Sequence, residues 1–145
     1  MSSCLLGQQI HHEFVQLQAQ DGGRPHALYQ TLEGRQPEIA FLSMHPRPQT
    51  FLHFALEPLA REGFGAFGMS PWQGDKSGIH EELLLDVAAG VKLLKSSGVE
   101  KVIFIGRSGG TGISAKIRAS ACATLPSFCA GSLRRGTNSG ESVTI

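Results

Sequence analysis

The sequence predicts an α/β fold, in which an N-terminal β-hairpin is followed by a mostly parallel sheet with flanking helices. Short apolar runs typical of strands alternate with segments of helical periodicity, and glycines separate many of them. This alternation implies right-handed crossovers between parallel strands. The 145 residues, 41% apolar and 17% charged, suit one globular domain with a single core.

The first three elements are predicted to be strands. Residues 13–19 alternate apolar and polar side chains, and an Asp-Gly-Gly turn at 21–23 separates them from a second short strand at 27–32. Two such strands around a tight turn predict a hairpin. The continuous apolar run at 39–44 is typical of a strand that is buried on both faces.

A helix and a weaker strand follow. Residues 51–62 have helical character, and Gly63 occupies the position where a helix stop is expected. Pro58 is expected to kink or shorten this helix, because proline removes one backbone hydrogen bond from a helix interior. The segment 64–69 predicts a strand that its glycine loosens.

The clearest predicted element is the next helix, which Ser77 can cap and Gly98 ends. Its apolar residues recur at intervals of three and four, which predicts one buried stripe of Leu84, Val87, Ala88, Val91 and Leu94. A strand at 101–105, a sharp turn at 106–110 and a helix at 111–121 are expected after it.

Charge and composition change near the end of this pattern. Residues 1–108 hold 9 basic and 11 acidic side chains, whereas residues 109–145 hold 4 basic and 1 acidic. From residue 121 onward, neither helical nor strand periodicity persists. We therefore expect the ordered domain to occupy residues 1–120 and residues 121–145 to be an irregular or disordered tail.

The turn after the last predicted strand carries a recognisable motif. Gly106, Ser108 and Gly110 match the Gly-x-Ser-x-Gly nucleophile elbow, placed between a strand and a helix as that motif requires. The glycines allow the strained turn that lifts the Ser108 hydroxyl above the sheet. The backbone N–H of Gly109 can then stabilise an oxyanion.

The same glycines allow a second interpretation. Gly106, Gly110 and Gly112 have the spacing with which short-chain dehydrogenases hold the pyrophosphate of NAD(P). Against it, no acidic residue follows about 20 positions later to bind the ribose. The catalytic tyrosine of those enzymes lies downstream of the motif, whereas Tyr29 lies upstream. The dehydrogenase-like fragment stays the less favoured alternative.

Residues 38–118 resemble the α/β-hydrolase family at three places in the family's order. Beside the elbow, the apolar strand 39–44 ends in His45-Pro, a variant of the family's His-Gly, and Gly74 and Ser77 match part of a later loop motif. The resemblance implies that Ser108 is the nucleophile of a serine esterase or acyl hydrolase. It implies oxyanion-hole N–H groups from Gly109 and Arg47, since the neighbouring prolines have none, and a supporting role for His45.

The family's catalytic triad is incomplete in this sequence. After Ser108 there is no aspartate or histidine and one glutamate, Glu141, so an activating base and acid are missing. We expect a partial fold, the N-terminal part of the family domain without its C-terminal strands. Such a chain is expected to be a truncated and inactive form. The elbow strand would be left as an unpaired sheet edge, open to self-association.

The remaining expectations concern partners and location. The resemblance implies a small-molecule ester or other acyl substrate, with no cofactor and no metal. A net charge of +1 argues against nucleic-acid binding and against a polybasic membrane anchor. The sequence has no apolar window of transmembrane length, no signal-peptide pattern and three cysteines without a paired framework. A cytoplasmic location is therefore expected.

Overall fold

A computed structural model describes residues 9–45, 54–71, 80–107, 132–133 and 141–144. Within those ranges the chain forms two helices and one mixed sheet of seven strands. The sheet order is β1-β2-β4-β3-β5-β7-β6. The elements in chain order are β1 (Ile10–Gln16), β2 (His26–Leu32), β3 (Ile39–Met44), α1 (Leu56–Arg61), β4 (Gly65–Ser70), α2 (His80–Ser96), β5 (Lys101–Arg107), β6 (Ser132–Leu133) and β7 (Glu141–Thr144).

The predicted N-terminal hairpin is confirmed. β1 and β2 pair antiparallel along their whole lengths, from Ile10 opposite Leu32 to Gln16 opposite His26. β1 begins three residues earlier than its alternating pattern indicated. Beyond its end, the Leu17 N–H still donates to the carbonyl of Pro25 at 2.9 Å, so the hairpin continues toward the tight turn.

The centre of the sheet is the parallel unit β4-β3-β5. β3 pairs parallel with β4 on one side and with β5 on the other. The antiparallel hairpin lies outside β4, and β7 and β6 lie outside β5. The sheet is therefore mixed, and only its three central strands are parallel.

The two helices cover opposite faces of this sheet. From β3 the chain crosses through α1 to one side, and from β4 it crosses through α2 to the other side of β3. Because parallel crossovers are right-handed, opposite directions place the helices on opposite faces. The α1 face holds a small cluster of Leu56, Ala60 and Ala66, with Ile10 packed against it. The larger core lies under α2 and includes Ala40, Leu42, Met44, Phe67, Met69, Leu83, Val87, Leu94, Val102 and Phe104.

The C-terminal ends of both helices follow the sequence signals, whereas α1 begins later than the expected 51 and the buried stripe of α2 differs from the prediction. Gly63 and Gly98 have φ of +94° and +93°, a conformation that favours glycine, so both stop positions are confirmed. α1 starts at Leu56, which places Pro58 in its first turn, where no intrahelical N–H bond is lost. The buried stripe of α2 is rotated relative to the prediction: Leu83 is buried, and Ala88 is exposed.

Two short strands lie in the stretch that was expected to be irregular. β7 pairs antiparallel with the end of β5, from Phe104 opposite Thr144 to Arg107 opposite Glu141. β6 pairs in turn with β7. The expectation of an unpaired edge is therefore wrong for these four residues of β5. The physical reason is that the exposed backbone groups of a strand edge gain hydrogen bonds from any segment that can pair with them, and Val143 and Thr144 are β-branched residues that favour strands.

Candidate active site

The carboxyl ends of β3 and β5 lie side by side, and the sequence motif follows directly from one of them. Ala40 is opposite Val102 and Ser43 is opposite Ile105 in the parallel register. Neighbouring strands are about 4.8 Å apart. The chain therefore leaves β3 after Met44 and β5 after Arg107 at adjacent positions, at the carboxyl ends of these two strands.

This position is also where the strand order reverses. The chain passes from β3 to β4 on one side and then returns past β3 to form β5 on the other. In open α/β sheets, ligands bind outside the carboxyl ends of the strands at such a reversal. The topology alone therefore selects the ends of β3 and β5 as the candidate site.

The predicted elbow begins inside β5. Gly106 is buried and belongs to the strand, which continues through Arg107, two residues beyond its predicted end. Ser108, Gly109 and Gly110 lie outside the described residues, as do Gly112 of the alternative motif, Arg47, Gly74 and Ser77. The structure thus fixes the strand that leads into the motif, and the roles of the motif residues stay predictions.

His45 is the described site residue on the other strand. It directly follows β3 and is half-buried. The parallel register of β3 with β5 ends at Ser43 opposite Ile105, two residues before His45 and two residues before Arg107. His45 and the segment that carries the candidate nucleophile therefore follow the ends of neighbouring strands.

Three further described histidines belong to the hairpin. They are His11, His12 and His26, and all three are exposed. His12 Nδ1 lies 3.3 Å from the side-chain nitrogen of Gln30, and His26 Nε2 lies 3.3 Å from that of Gln16. His26 on β2 is three strand spacings from β5, or roughly 14 Å, and His11 and His12 on β1 are four, or roughly 19 Å, so none of them is near the chain entering the motif.

Asp86 is a notable buried residue that the sequence reasoning missed. Its exposed fraction is 0%, and it lies on α2 between the core residues Leu83 and Val87. One turn later, Gly90 approaches Met69 and Phe67 of β4 so closely that a Cβ there would lie 2.5 Å from Met69 Sδ. The available signal was an aspartate inside the apolar run Leu-Leu-Leu-Asp-Val-Ala, because a carboxylate is rarely buried without a specific reason.

The fold also changes the titration of Tyr29, on β2. Burial, and secondarily the negative charge of Glu13 opposite it in the hairpin, raises the pKa of the Tyr29 hydroxyl above its ordinary value of 10.0. Its ring packs edge-on against Phe67 with centroids 5.6 Å apart. Tyr29 packs against the core under α2, and its strand, β2, is two positions away from β3 in the sheet.

Among the residues that the structure describes, no group of three or more His, Cys, Asp or Glu side chains is arranged to hold a metal ion. No helix in the described part of the chain has both the length and the apolarity needed to cross a membrane.

Comparison with known proteins shows the fold. The chain is similar to the hypothetical protein PA2218 from Pseudomonas aeruginosa, with a TM-score of 0.64 and 18% identity over 79% of this chain and 40% of that one. It is similar to the Pyrococcus furiosus esterase Pf2001, with a TM-score of 0.60 and 18% identity over 75% of this chain and 45% of that one. It is also similar to esterase Est22, with a TM-score of 0.62 and 12% identity over 79% of this chain and 40% of that one.

These similarities define a partial α/β-hydrolase fold. The chain spans less than half the length of each of these three proteins. No protein-family model matches the sequence, and no curated protein matches it. Because the named neighbours include esterases, the dinucleotide-binding interpretation of Gly106, Gly110 and Gly112 is not favoured.

Proposed function

We propose that this chain carries the nucleophile-bearing part of a serine acyl hydrolase for small-molecule esters, with Ser108 as its nucleophile. The observation that carries the proposal is the pairing of β3 with β5 at the reversal of strand order. That pairing brings the strand entering Gly-Arg-Ser-Gly-Gly next to β3, the strand that His-Pro-Arg-Pro follows in the sequence. Esterases among the structural neighbours favour an ester substrate over other acyl groups.

The proposed chemistry is nucleophilic attack on an acyl carbonyl. Ser108 Oγ forms a bond to the carbonyl carbon, and the carbonyl oxygen becomes an oxyanion that accepts hydrogen bonds from the N–H groups of Gly109 and Arg47. Gly106 and Gly110 supply the turn that exposes the hydroxyl. Collapse of the intermediate expels the alcohol and leaves an acyl group on Ser108, which water then removes.

The attack requires a group that takes the serine proton. These 145 residues contain no aspartate or histidine after Ser108, and a serine hydroxyl without a base is a weak nucleophile. His45 precedes Ser108 in the chain, directly follows the neighbouring strand β3, and is given only a supporting role at the loop. We therefore propose that this chain by itself is inactive and that acid and base must come from outside it.

A change of nucleophile tests the site without a base. A cysteine thiol is partly ionised near neutral pH and attacks esters unaided. Ser108→Cys, in a background where Cys4, Cys122 and Cys129 are serine, is expected to be acylated by a p-nitrophenyl ester about 100-fold faster than a matched surface variant. The expected advantage reflects the contribution of an oxyanion-hole N–H, about 10²–10³.

Ser96→Cys provides that matched control, because Ser96 is exposed at the end of α2 and remote from the motif. Acylation is measured from the burst of p-nitrophenol release and from mass spectrometry of the modified peptide. Equal acylation rates for the two variants, in folded proteins, would show that no oxyanion hole faces position 108.

A further inference from the structure

The outer edge of β1 is a seven-residue strand edge at the end of the sheet. Within the ranges that the structure describes, no strand pairs with its outer side. Its residues alternate between the two faces of the sheet, so Ile10, His12, Phe14 and Gln16 share the α1 face. Exposed strand edges of this length are sites where another chain adds backbone hydrogen bonds.

The backbone direction of each β1 residue follows from two hydrogen bonds at the ends of the hairpin. Leu17 N–H donates to Pro25 O at 2.9 Å, and Glu33 N–H donates to Gln9 O at 2.9 Å. Odd-numbered residues of β1 therefore exchange hydrogen bonds with β2. In an antiparallel pair the alternate residues face away, so the even-numbered residues direct their N–H and C=O groups outward.

Phe14 combines outward backbone groups with an exposed aromatic ring. It is 78% exposed, more than the other large exposed apolar side chain described, Phe54 at 67%. Ile10, on the same face of the same strand, packs against the apolar cluster of α1. A partner that covers Phe14 would extend this cluster and remove apolar surface from water.

We propose that β1 pairs antiparallel with β1 of a second copy of this chain across a two-fold axis, joining two sheets into one. The register places His12 opposite His12, Ile10 opposite Phe14 and His11 opposite Glu13. Apolar residues then meet apolar residues on one face, and an imidazole meets a carboxylate on the other. The Ile10–Phe14 and His11–Glu13 pairs each occur twice, because a two-fold interface is self-complementary, and the His12 pair lies on the axis and occurs once.

Two other registers that keep the outward groups paired, centred on Glu13 and on Phe14, are less favourable. Centring the axis on Glu13 sets two carboxylates directly opposite each other, which destabilises a strand pair. Centring it on Phe14 sets Glu13 opposite Val15, an apolar side chain packed against the main core. The choice of a second copy as the occupant therefore rests on the complementarity of Ile10 with Phe14 and of His11 with Glu13.

Sedimentation of the full chain between about 1 and 100 µM tests the association, since a contact of one strand pair predicts weak, reversible binding. Wild type is expected to shift from monomer to dimer across this range. Phe14→Pro removes an N–H that β2 does not use, so the hairpin stays folded, while the dimer dissociation constant rises at least about tenfold. Phe14→Lys is expected to act alike, and Phe54→Ser is expected to leave the dimer unchanged.

A single cysteine tests the register. In a background in which the three native cysteines are serine, His12→Cys is expected to form a disulfide-linked dimer on mild oxidation, because Cα atoms of a directly paired position lie within the disulfide range. Cross-linking through Phe14→Cys in preference to His12→Cys would overturn the proposed register. A wild type that stays monomeric throughout, or a dimer that survives both Phe14 substitutions, would overturn the β1 interface itself.

Discussion

Gly65→Ala tests the packing of β4 against its two neighbouring strands, β2 and β3. The position of the candidate site depends on this arrangement of central strands. Gly65 pairs with Ala40 of β3 and lies over Tyr29 of β2, so a Cβ there meets both neighbouring strands. The added carbon would lie 2.9 Å from Tyr29 Oη, 3.0 Å from Ala40 Cβ and 3.1 Å from Tyr29 Cε2. Overpacking of this kind costs about 1–3 kcal/mol, and the stiffer unfolded chain offsets about 0.4–1 kcal/mol.

The net loss expected for Gly65→Ala is about 1–2 kcal/mol in the free energy of unfolding, or a fall in Tm of about 4–8 °C. Urea and thermal denaturation followed by circular dichroism measure it. Tyr29→Phe removes the nearest atom, so the double variant is expected to lose at least about 0.5 kcal/mol less than the sum of the single variants. Gly34→Ala is the matched control, because nothing lies within 4 Å of its added Cβ and its effect should be additive with Tyr29→Phe. A fully additive Gly65→Ala and Tyr29→Phe pair would refute the packing of β4 between β2 and β3.

Three further predictions concern the fold. Because the pKa of Tyr29 is raised in the folded state, the unfolded chain loses the hydroxyl proton first as pH rises. The free energy of unfolding is therefore expected to fall as pH rises above about 10. Tyr29→Phe should flatten this decline in urea titrations at alkaline pH. Leu94→Ala empties a fully buried position under α2 and is expected to cost about 2–5 kcal/mol in urea unfolding, whereas a loss below about 1 kcal/mol would contradict the assigned core. Gly98→Ala forces alanine into φ of +93° and is expected to cost about 1–2 kcal/mol, with unchanged stability arguing against the left-handed helix end.

Local sequence patterns predicted the strands and helices themselves better than they predicted which strands pair and which helix residues face the sheet. The run 39–44 and the stops at Gly63 and Gly98 were predictable, because apolar continuity and glycine act locally. The burial of Asp86 and the rotated stripe of α2 were not, since they depend on which helix residues the sheet contacts. The pairing of β7 with β5 joins residues about 40 positions apart, and no local pattern specifies such a partner.

The motif of the candidate site could be predicted from the sequence, but its position in the fold could be read only from the order of the strands in the sheet. The spacing of Gly106, Ser108 and Gly110 suggested the chemistry, and His45 was noted at the end of an apolar strand. Only the parallel register of β3 with β5 shows that these two segments leave the sheet side by side. Sequence spacing alone cannot give this, because 62 residues separate His45 from Arg107.

The most direct test of the proposed function is the reaction of the full chain with a fluorophosphonate probe and with p-nitrophenyl esters, beside Ser108→Ala. Because no aspartate or histidine follows Ser108, we predict no labelling of Ser108 and ester hydrolysis equal to that of Ser108→Ala. Labelling or turnover that disappears in Ser108→Ala would contradict this account, since it would show that these 145 residues contain their own activating base.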